Sequence, residues 1–518
     1  MSRVLSVLSQ LLVLGLSVWV IVTLGGYVAP RLTYPFDIEW MEGGMLVHAL
    51  RLEQGLALYP KPSAEFIPYI YPPLYPFLIS LVGEPSYLVG RGLSIVGTLL
   101  AAAAAITAAR REGAPWGIAV GAGAAFLTTW EESGTFMDLV RADAVAVGLA
   151  AWAITLARLA KPVAVVAAGL LLTLAFLAKH NLALFGLPIA LWLWWGVGWR
   201  RAALFTAASA GPALLATGLL QLATDGMFLT YLLGVPATHP LVADRALPTI
   251  TKELPTSLPL FAAASVAWLG VTLRRRGEGA PLWLGVLAVA AGACMLMRAH
   301  HGGFINVLMP GHWAVAAAGG AAIGAFCRAF EGRAWAVPLV GVLLSAQLSR
   351  PGWEKALDYV PTEADRAAGE QLLTQLRAVE GEIFAPQFPW YPHLVGKKPS
   401  LPLISLWDIQ HKRGPLYQNP SVVEEAMEKQ VWAALLVSQK DIKYGQREHY
   451  KEGARIKLPG RAFNTRTGWR VRPAALWVPK TAADRAADAA KALAAPKGPR
   501  PSSVGEPRDD DPTLTPDP

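Results

Sequence analysis

Residues 5–29 read LSVLSQLLVLGLSVWVIVTLGGYVA, twenty-five positions without a charge. About twenty apolar residues in a helix cross the hydrocarbon core of a bilayer. The stretch therefore predicts a transmembrane helix. It is longer than the apolar core of a secretory signal and has no clear A-x-A cleavage site, so it is expected to stay as an anchor. Similar apolar runs follow near 86–109, 115–131, 139–157, 162–179, 182–199, 202–223, 257–273, 280–297, 307–327 and 334–349. The fold class read from this is an all-α polytopic membrane protein with about eleven transmembrane helices. The apolar segment 74–83 is too short to cross and reads as an interfacial or re-entrant piece.

Composition agrees. Of 518 residues, 53% are hydrophobic and only 16% charged, where a soluble domain carries about 25% charged residues. The net charge of +9 does not point to nucleic acid. Its cations sit mostly in short turns between apolar runs: Arg110 and Arg111, Arg158 with Lys161, Arg200 and Arg201, Arg274 to Arg276, and Arg328 with Arg333. Such cations mark the cytoplasmic side. The pattern predicts a multi-pass protein of the cytoplasmic (inner) membrane, N-terminus inside and C-terminal part outside. Cys294 and Cys327 both fall in or beside apolar runs, so no disulfide framework or cysteine metal site is indicated.

Three regions result. Residues 1–350 form the transmembrane domain. Residues 351–480 alternate a helix-like piece at 362–378 with strand-like pieces at 382–385 and 432–438, which predicts a small extracytoplasmic α/β domain. Residues 481–518 are rich in Ala, Lys, Pro and Asp, and are expected to be a disordered tail.

Chemistry concentrates at the outer ends of the predicted spans. The first outer loop, Pro35-Phe36-Asp37-Ile38-Glu39-Trp40-Met41-Glu42-Gly43-Gly44, holds three carboxylates. Acids so close to the bilayer need water, a cation or a substrate. Asp37 could instead cap a helix starting near Ile38, and Glu39 and Glu42 could share a solvated helix face. The aromatic and proline cluster Tyr69-Ile70-Tyr71-Pro72-Pro73-Leu74-Tyr75-Pro76 suits the membrane interface. Arg141, Lys179 and Arg298 lie at outer ends, against the positive-inside tendency, and phosphate is the usual partner of such cations. Blander readings are an Arg141–Asp143 ion pair, a snorkelling Lys179 and an interfacial turn at His300 and His301. Asn306 reads as a turn or cap residue, or as fixing the late loop. Taken together, a carboxylate base, phosphate-binding cations and interfacial aromatics are the groups needed to move a sugar from a lipid phosphate to an acceptor outside the cytoplasm. No nucleotide-binding P-loop is present.

The acids of the first outer loop, the element Gly55-Leu56-Ala57-Leu58-Tyr59-Pro60, the run Tyr71-Pro72-Pro73-Leu74 and the stretch Gly302-Gly303-Phe304-Ile305-Asn306-Val307-Leu308-Met309-Pro310 resemble the C-type integral-membrane glycosyltransferases. The style is that of bacterial relatives of protein O-mannosyltransferase and of the aminoarabinose transferase. The resemblance covers residues 1–350. It implies a polyprenyl-phosphate sugar donor, an envelope acceptor (glycan, lipid or protein), and an inverting displacement in the lipid bilayer. It also implies that the first-loop Asp is the base or a ligand of a divalent metal, magnesium or manganese. On this sequence that residue is Asp37, with Glu39 or Glu42 as helper and Asp37 and Glu39 as metal ligands. The acids here are spread over three positions rather than forming an adjacent pair. Arg141, Lys179, Arg298, His300 and His301 are then expected at the donor phosphate. Tyr59, Tyr71, Tyr75 and Asn306 are expected against lipid or substrate. The alternative is a membrane transporter or a flippase for lipid-linked sugars, a class that places charges near the bilayer midplane.

Overall fold

The computed structural model describes residues 2–494 apart from 273–278, 351, 352, 354 and 461. The Arg274 to Arg276 turn and the tail beyond residue 494 lie outside the described residues. The chain divides into two compact units. One comprises Met1–Tyr34, Tyr71–Phe228 and Leu241–Val360; the other comprises Pro35–Ile70, Leu229–Pro240 and Pro361–Pro518. The sequence reading divides the chain at 350/351; the first outer loop falls in the same unit as the residues from Pro361 on.

The first unit is helical. Among the described residues, a helix occupies each segment read as a span: α1 (Ser2–Leu32), α2 (Tyr87–Arg111), α3 (Trp116–Thr128), α4 (Asp143–Ala157), α5 (Pro162–Ala178), α6 (Gly186–Gly196), α7 (Trp199–Ala223), α8 (Pro259–Thr272), α9 (Ala280–Ala299), α10 (Met309–Ala329) and α11 (Ala336–Leu348). By length and composition, 5 helices can cross a membrane: α1, α2, α7, α9, and α10 with the short turn before it. The others are shorter apolar helices. Segment 74–83 contains the short helix Leu74–Ser80, with Phe77, Leu81 and Val82 exposed beside it.

Helices meet in this unit through small residues, as they do where lipid removes the hydrophobic drive to associate. A Cβ on Gly97 of α2 would lie 2.6 Å from the Ala144 carbonyl of α4, and one on Gly148 of α4 would lie 2.5 Å from the Gly97 oxygen. Lipid-facing surface is the converse. Helix α7 is almost unburied, with Leu214 at 71% and Leu222 at 79% exposure.

Buried charges tie the helix ends in two groups. At one end Glu112, just after α2, receives Arg158 from the end of α4 at 2.9 Å and Arg328 from the end of α10 at 3.8 Å. The Trp283 indole of α9 donates to the same carboxylate at 3.4 Å. At the opposite ends of α1 and α2, Arg31 donates to both oxygens of Asp138 at 2.6 and 3.1 Å and to the Tyr359 carbonyl at 2.8 Å. Arg91 donates to the Arg31 and Tyr34 carbonyls. Among the described residues, the turns at Arg110–Glu112, Arg158 and Arg328 thus share one end of the unit.

The second unit is mixed α/β. Four strands, β1 (Ile383–Phe384), β2 (Ala434–Ser438), β3 (Tyr450–Arg455) and β4 (Pro473–Pro479), are ordered β1-β2-β4-β3. The β1–β2 pair is parallel and the other pairs are antiparallel. Helix Glu363–Arg377 starts at a capping box of Thr362 and Asp365, and Asp365 also pairs with Arg466. Part of the expected disordered tail is ordered. Ala482–Ala494 is a helix, and Asp484 and Asp488 bind Lys451 and Lys480.

The cation pattern predicts the sidedness of single-cysteine variants. Cys294 and Cys327 are buried, giving a quiet background. An impermeant thiol reagent applied to intact cells should label Lys398→Cys and leave Arg200→Cys unlabelled. The reverse pattern would overturn the orientation.

Candidate active site

The polar group of the helical unit is built around Asp143. This residue opens α4 and is 4% exposed. Its Oδ1 accepts from Lys179 Nζ at 2.5 Å, from the residue that ends α5, and from Asn306 Nδ2 at 2.9 Å, in the turn leading into α10. A carboxylate buried at an apolar helix start needs such partners. Two predicted site residues, Lys179 and Asn306, thus meet on an acid whose blander reading was an ion pair with Arg141. The usable signal was an acid and a cation at the outer ends of successive apolar runs.

Arg141 is nearly buried. It donates to the Tyr71 hydroxyl at 3.1 Å and lies 5.4 Å from the Phe136 ring centroid. Arg298 is held in its own loop. Its Nε and Nη2 donate to Glu253 at 3.3 and 3.1 Å, and its Nη1 donates to the Gly303 carbonyl at 2.7 Å. His300 makes a bridge to Leu241, and its Nδ1 meets the His301 carbonyl at 2.8 Å. These bonds hold the loop from Arg298 to Gly303 closed. Tyr75 is fully buried, and its hydroxyl donates to the Gly90 carbonyl at 2.7 Å beside Ser94 Oγ at 3.0 Å.

The first-loop acids lie in the second unit and are all buried, Asp37 at 4%, Glu39 at 1% and Glu42 at 0%. The helix begins at Glu42, not near Ile38, so Glu39 and Glu42 do not share a helix face. Asp37 Oδ1 accepts from the Gly43 amide at 2.8 Å, within the first turn of helix Glu42–Glu53. Glu42 turns back, and its Oε2 accepts from the amides of Ile38 at 2.7 Å and Glu39 at 3.2 Å. Glu39 Oε2 accepts from Met41. Aromatic rings seat the loop: Phe36 lies 5.0 Å from Phe463 and Trp40 lies 4.9 Å from Trp469. The Arg466 amide donates to the Ile38 carbonyl at 2.7 Å. At Gly468 (φ +68°) a Cβ would stand 2.8 Å from Glu39 Oε1, so only glycine fits against that carboxylate. Tyr59 is buried in the same unit, 6.5 Å from the Tyr231 ring.

A divalent cation wants several oxygens free to converge on it. Here each acid of the loop spends an oxygen on backbone amides, and among the described residues no three His, Cys, Asp or Glu side chains gather as a ligand set.

Sequence reasoning missed His48. Its Nε2 accepts from the Tyr69 amide at 2.7 Å, which leaves Nδ1–H to donate to the Gly44 carbonyl at 2.6 Å. The ring stacks 4.5 Å from Tyr69. This neutral imidazole fastens helix Glu42–Glu53 to the segment before Tyr71.

Two solved structures are similar to the chain. ArnT from Cupriavidus metallidurans bound to undecaprenyl phosphate has a TM-score of 0.58, and the same protein in the apo state has 0.57. In both the identity is 13%, over 90% of this chain and 98% of that one. No family model and no curated protein matches the sequence. The shared property is the fold.

Burial pushes His48 down from 6.5 to about 4. Between these values the unfolded chain binds a proton that the folded one refuses, so stability falls as pH drops from 6.5 towards 4. The full loss is about 3 kcal/mol, on the scale of 1.36 kcal/mol per pKa unit. Thermal unfolding in detergent at pH 7 and pH 4.5 should show a larger acid-induced drop for wild type than for His48→Gln. Equal drops would rule this out.

Proposed function

We propose that this chain transfers a sugar from a polyprenyl-phosphate-linked donor to an acceptor of the cell envelope, at the outer face of the cytoplasmic membrane. The observation that carries the reading is the ArnT fold over nearly the whole chain, in a structure that for ArnT was bound to undecaprenyl phosphate. The polar residues add chemistry to it. An acceptor hydroxyl attacks the anomeric carbon from the face opposite the phosphate. The bond from that carbon to the phosphate oxygen breaks, with inversion, and the lipid phosphate departs.

Asp37 takes the acceptor's proton. The Gly43 amide holds one of its oxygens and fixes the carboxyl's direction. Glu42 and Glu39, bound to the loop's own amides, keep the loop in shape around it. Arg141 and Lys179 balance the charge that grows on the leaving phosphate, a task suited to guanidinium and ammonium groups. Tyr71 orients Arg141 through its hydroxyl, and Asn306 with Asp143 holds Lys179.

Asn caps and accepts hydrogen bonds about as well as Asp. Asp37→Asn should therefore express and fold normally and turn over more slowly by about 10²–10⁴-fold. The assay is sugar transfer in membranes supplied with a panel of polyprenyl-phosphate sugars. A fully active Asp37→Asn with a dead Glu42→Gln would move the base to Glu42. Full activity in both variants and in Glu39→Gln would make the loop structural and favour transport.

Arg141 gives the cleaner test of the phosphate, because removing Lys179 strands the buried Asp143. Arg141→Gln should weaken binding of undecaprenyl phosphate by about 1.5–3 kcal/mol, the worth of a hydrogen bond to a charged group. Unchanged affinity would exclude Arg141 from the phosphate.

A further inference from the structure

Helix α5 stops at Lys179, whose backbone turns extended at φ −153°, and the chain continues as a short turn, His180–Phe185. Leu182 and Phe185 are buried and anchor that turn. The two polar side chains that open it have not been given a role. His180 Nδ1 and Asn181 Oδ1 are both shut away from solvent, and neither has a hydrogen-bond partner among the described residues. Buried polar atoms in folded proteins nearly always have partners. Two orphans on successive residues mark a place where something else supplies the bonds.

The surroundings narrow what that is. Lys179, paired with Asp143, is the cation beside the turn and serves the donor phosphate, so the turn itself needs no second anion. His180 is uncharged: burial, with Lys179 and His300 close by, pushes its imidazole down to about 4. The turn thus carries a neutral ring nitrogen and an amide oxygen on successive residues, next to a cation. Neutral groups that both give and take hydrogen bonds suit hydroxyls. We propose that His180 and Asn181 read the hydroxyl groups of the donor's sugar, and so choose which sugar-bearing lipid is used. This rests on the glycosyltransfer reading and adds to it a site that recognises the sugar separately from its phosphate.

The test separates sugar from phosphate. Purified full-length protein is titrated with bare undecaprenyl phosphate and with undecaprenyl phosphate carrying glucose, mannose or arabinose. Wild type should prefer one sugar-bearing lipid. Asn181→Leu and His180→Leu should bind the bare lipid within about twofold of wild type and lose tenfold or more for the preferred one, and His180→Gln should recover part of the loss, because it keeps a hydrogen-bonding group. If His180→Leu does not fold, Asn181→Ser and His180→Gln carry the same comparison. Equal losses for bare and sugar-bearing lipid, or no loss for either, overturn the inference, since a packing role or a bound water would act on both alike. A wild type that binds the bare lipid but discriminates no sugar overturns the inference alone. A wild type that binds none of these lipids overturns the glycosyltransfer reading and the inference with it.

Discussion

A carboxylate cannot be buried at the start of an apolar helix without its countercharge, and Asp143 shows what that demand does to this fold. It draws in Lys179 from the end of the next helix and Asn306 from a turn more than a hundred and sixty residues further along the chain. Breaking such a pair from one side costs about 3–5 kcal/mol, because a lone buried charge remains. Three helices therefore keep their ends in register. The same rule works through Asp138, held by Arg31, and through Glu112 at the opposite end. Apolar helices slide against one another at little cost. Paired charges at their ends fix how far.

The helical unit was legible in sequence because its signal is length. A run of about twenty apolar residues has few alternatives to a helix, and each of the segments read that way is helical. The helix and first strands of the C-terminal region were legible from their periodicity, and Glu363–Arg377, Ile383–Phe384 and Ala434–Ser438 fall where expected. Strands β3 and β4 were not. Tyr450–Arg455 is mostly polar and exposed, and owes its shape to pairing with β4 rather than to an apolar pattern.

The site was legible as a set of residue types and not as a set of partnerships. Lys179 and Asn306 were singled out as unusual polar residues. Their link through Asp143 spans distances along the chain that no local pattern reports. Tyr75 lies in an aromatic, proline-rich run that looks interfacial, and the run does not report that its hydroxyl bonds to α2. The grouping of the first loop with the C-terminal residues was also hidden. It depends on ring contacts such as Phe36 with Phe463 and on backbone bonds such as Arg466 to Ile38. The acids of that loop looked like a free cluster, but most of their described bonds go to the loop's own amides.

Glu112 imposes an order on biosynthesis. The carboxylate emerges at the end of α2, well before either arginine that will bind it. Arg158 arrives first, two helices later, and brings α4 alongside α2, where the Gly97–Gly148 crossing already fits. Arg328 follows only after most of the unit has been made. The α2–α4 pair can therefore form early, while α10 joins late, between helices already inserted. A ribosome stalled between these arginines would leave a half-built bundle with Glu112 bound on one side only, and that intermediate is the one quality-control proteases would meet.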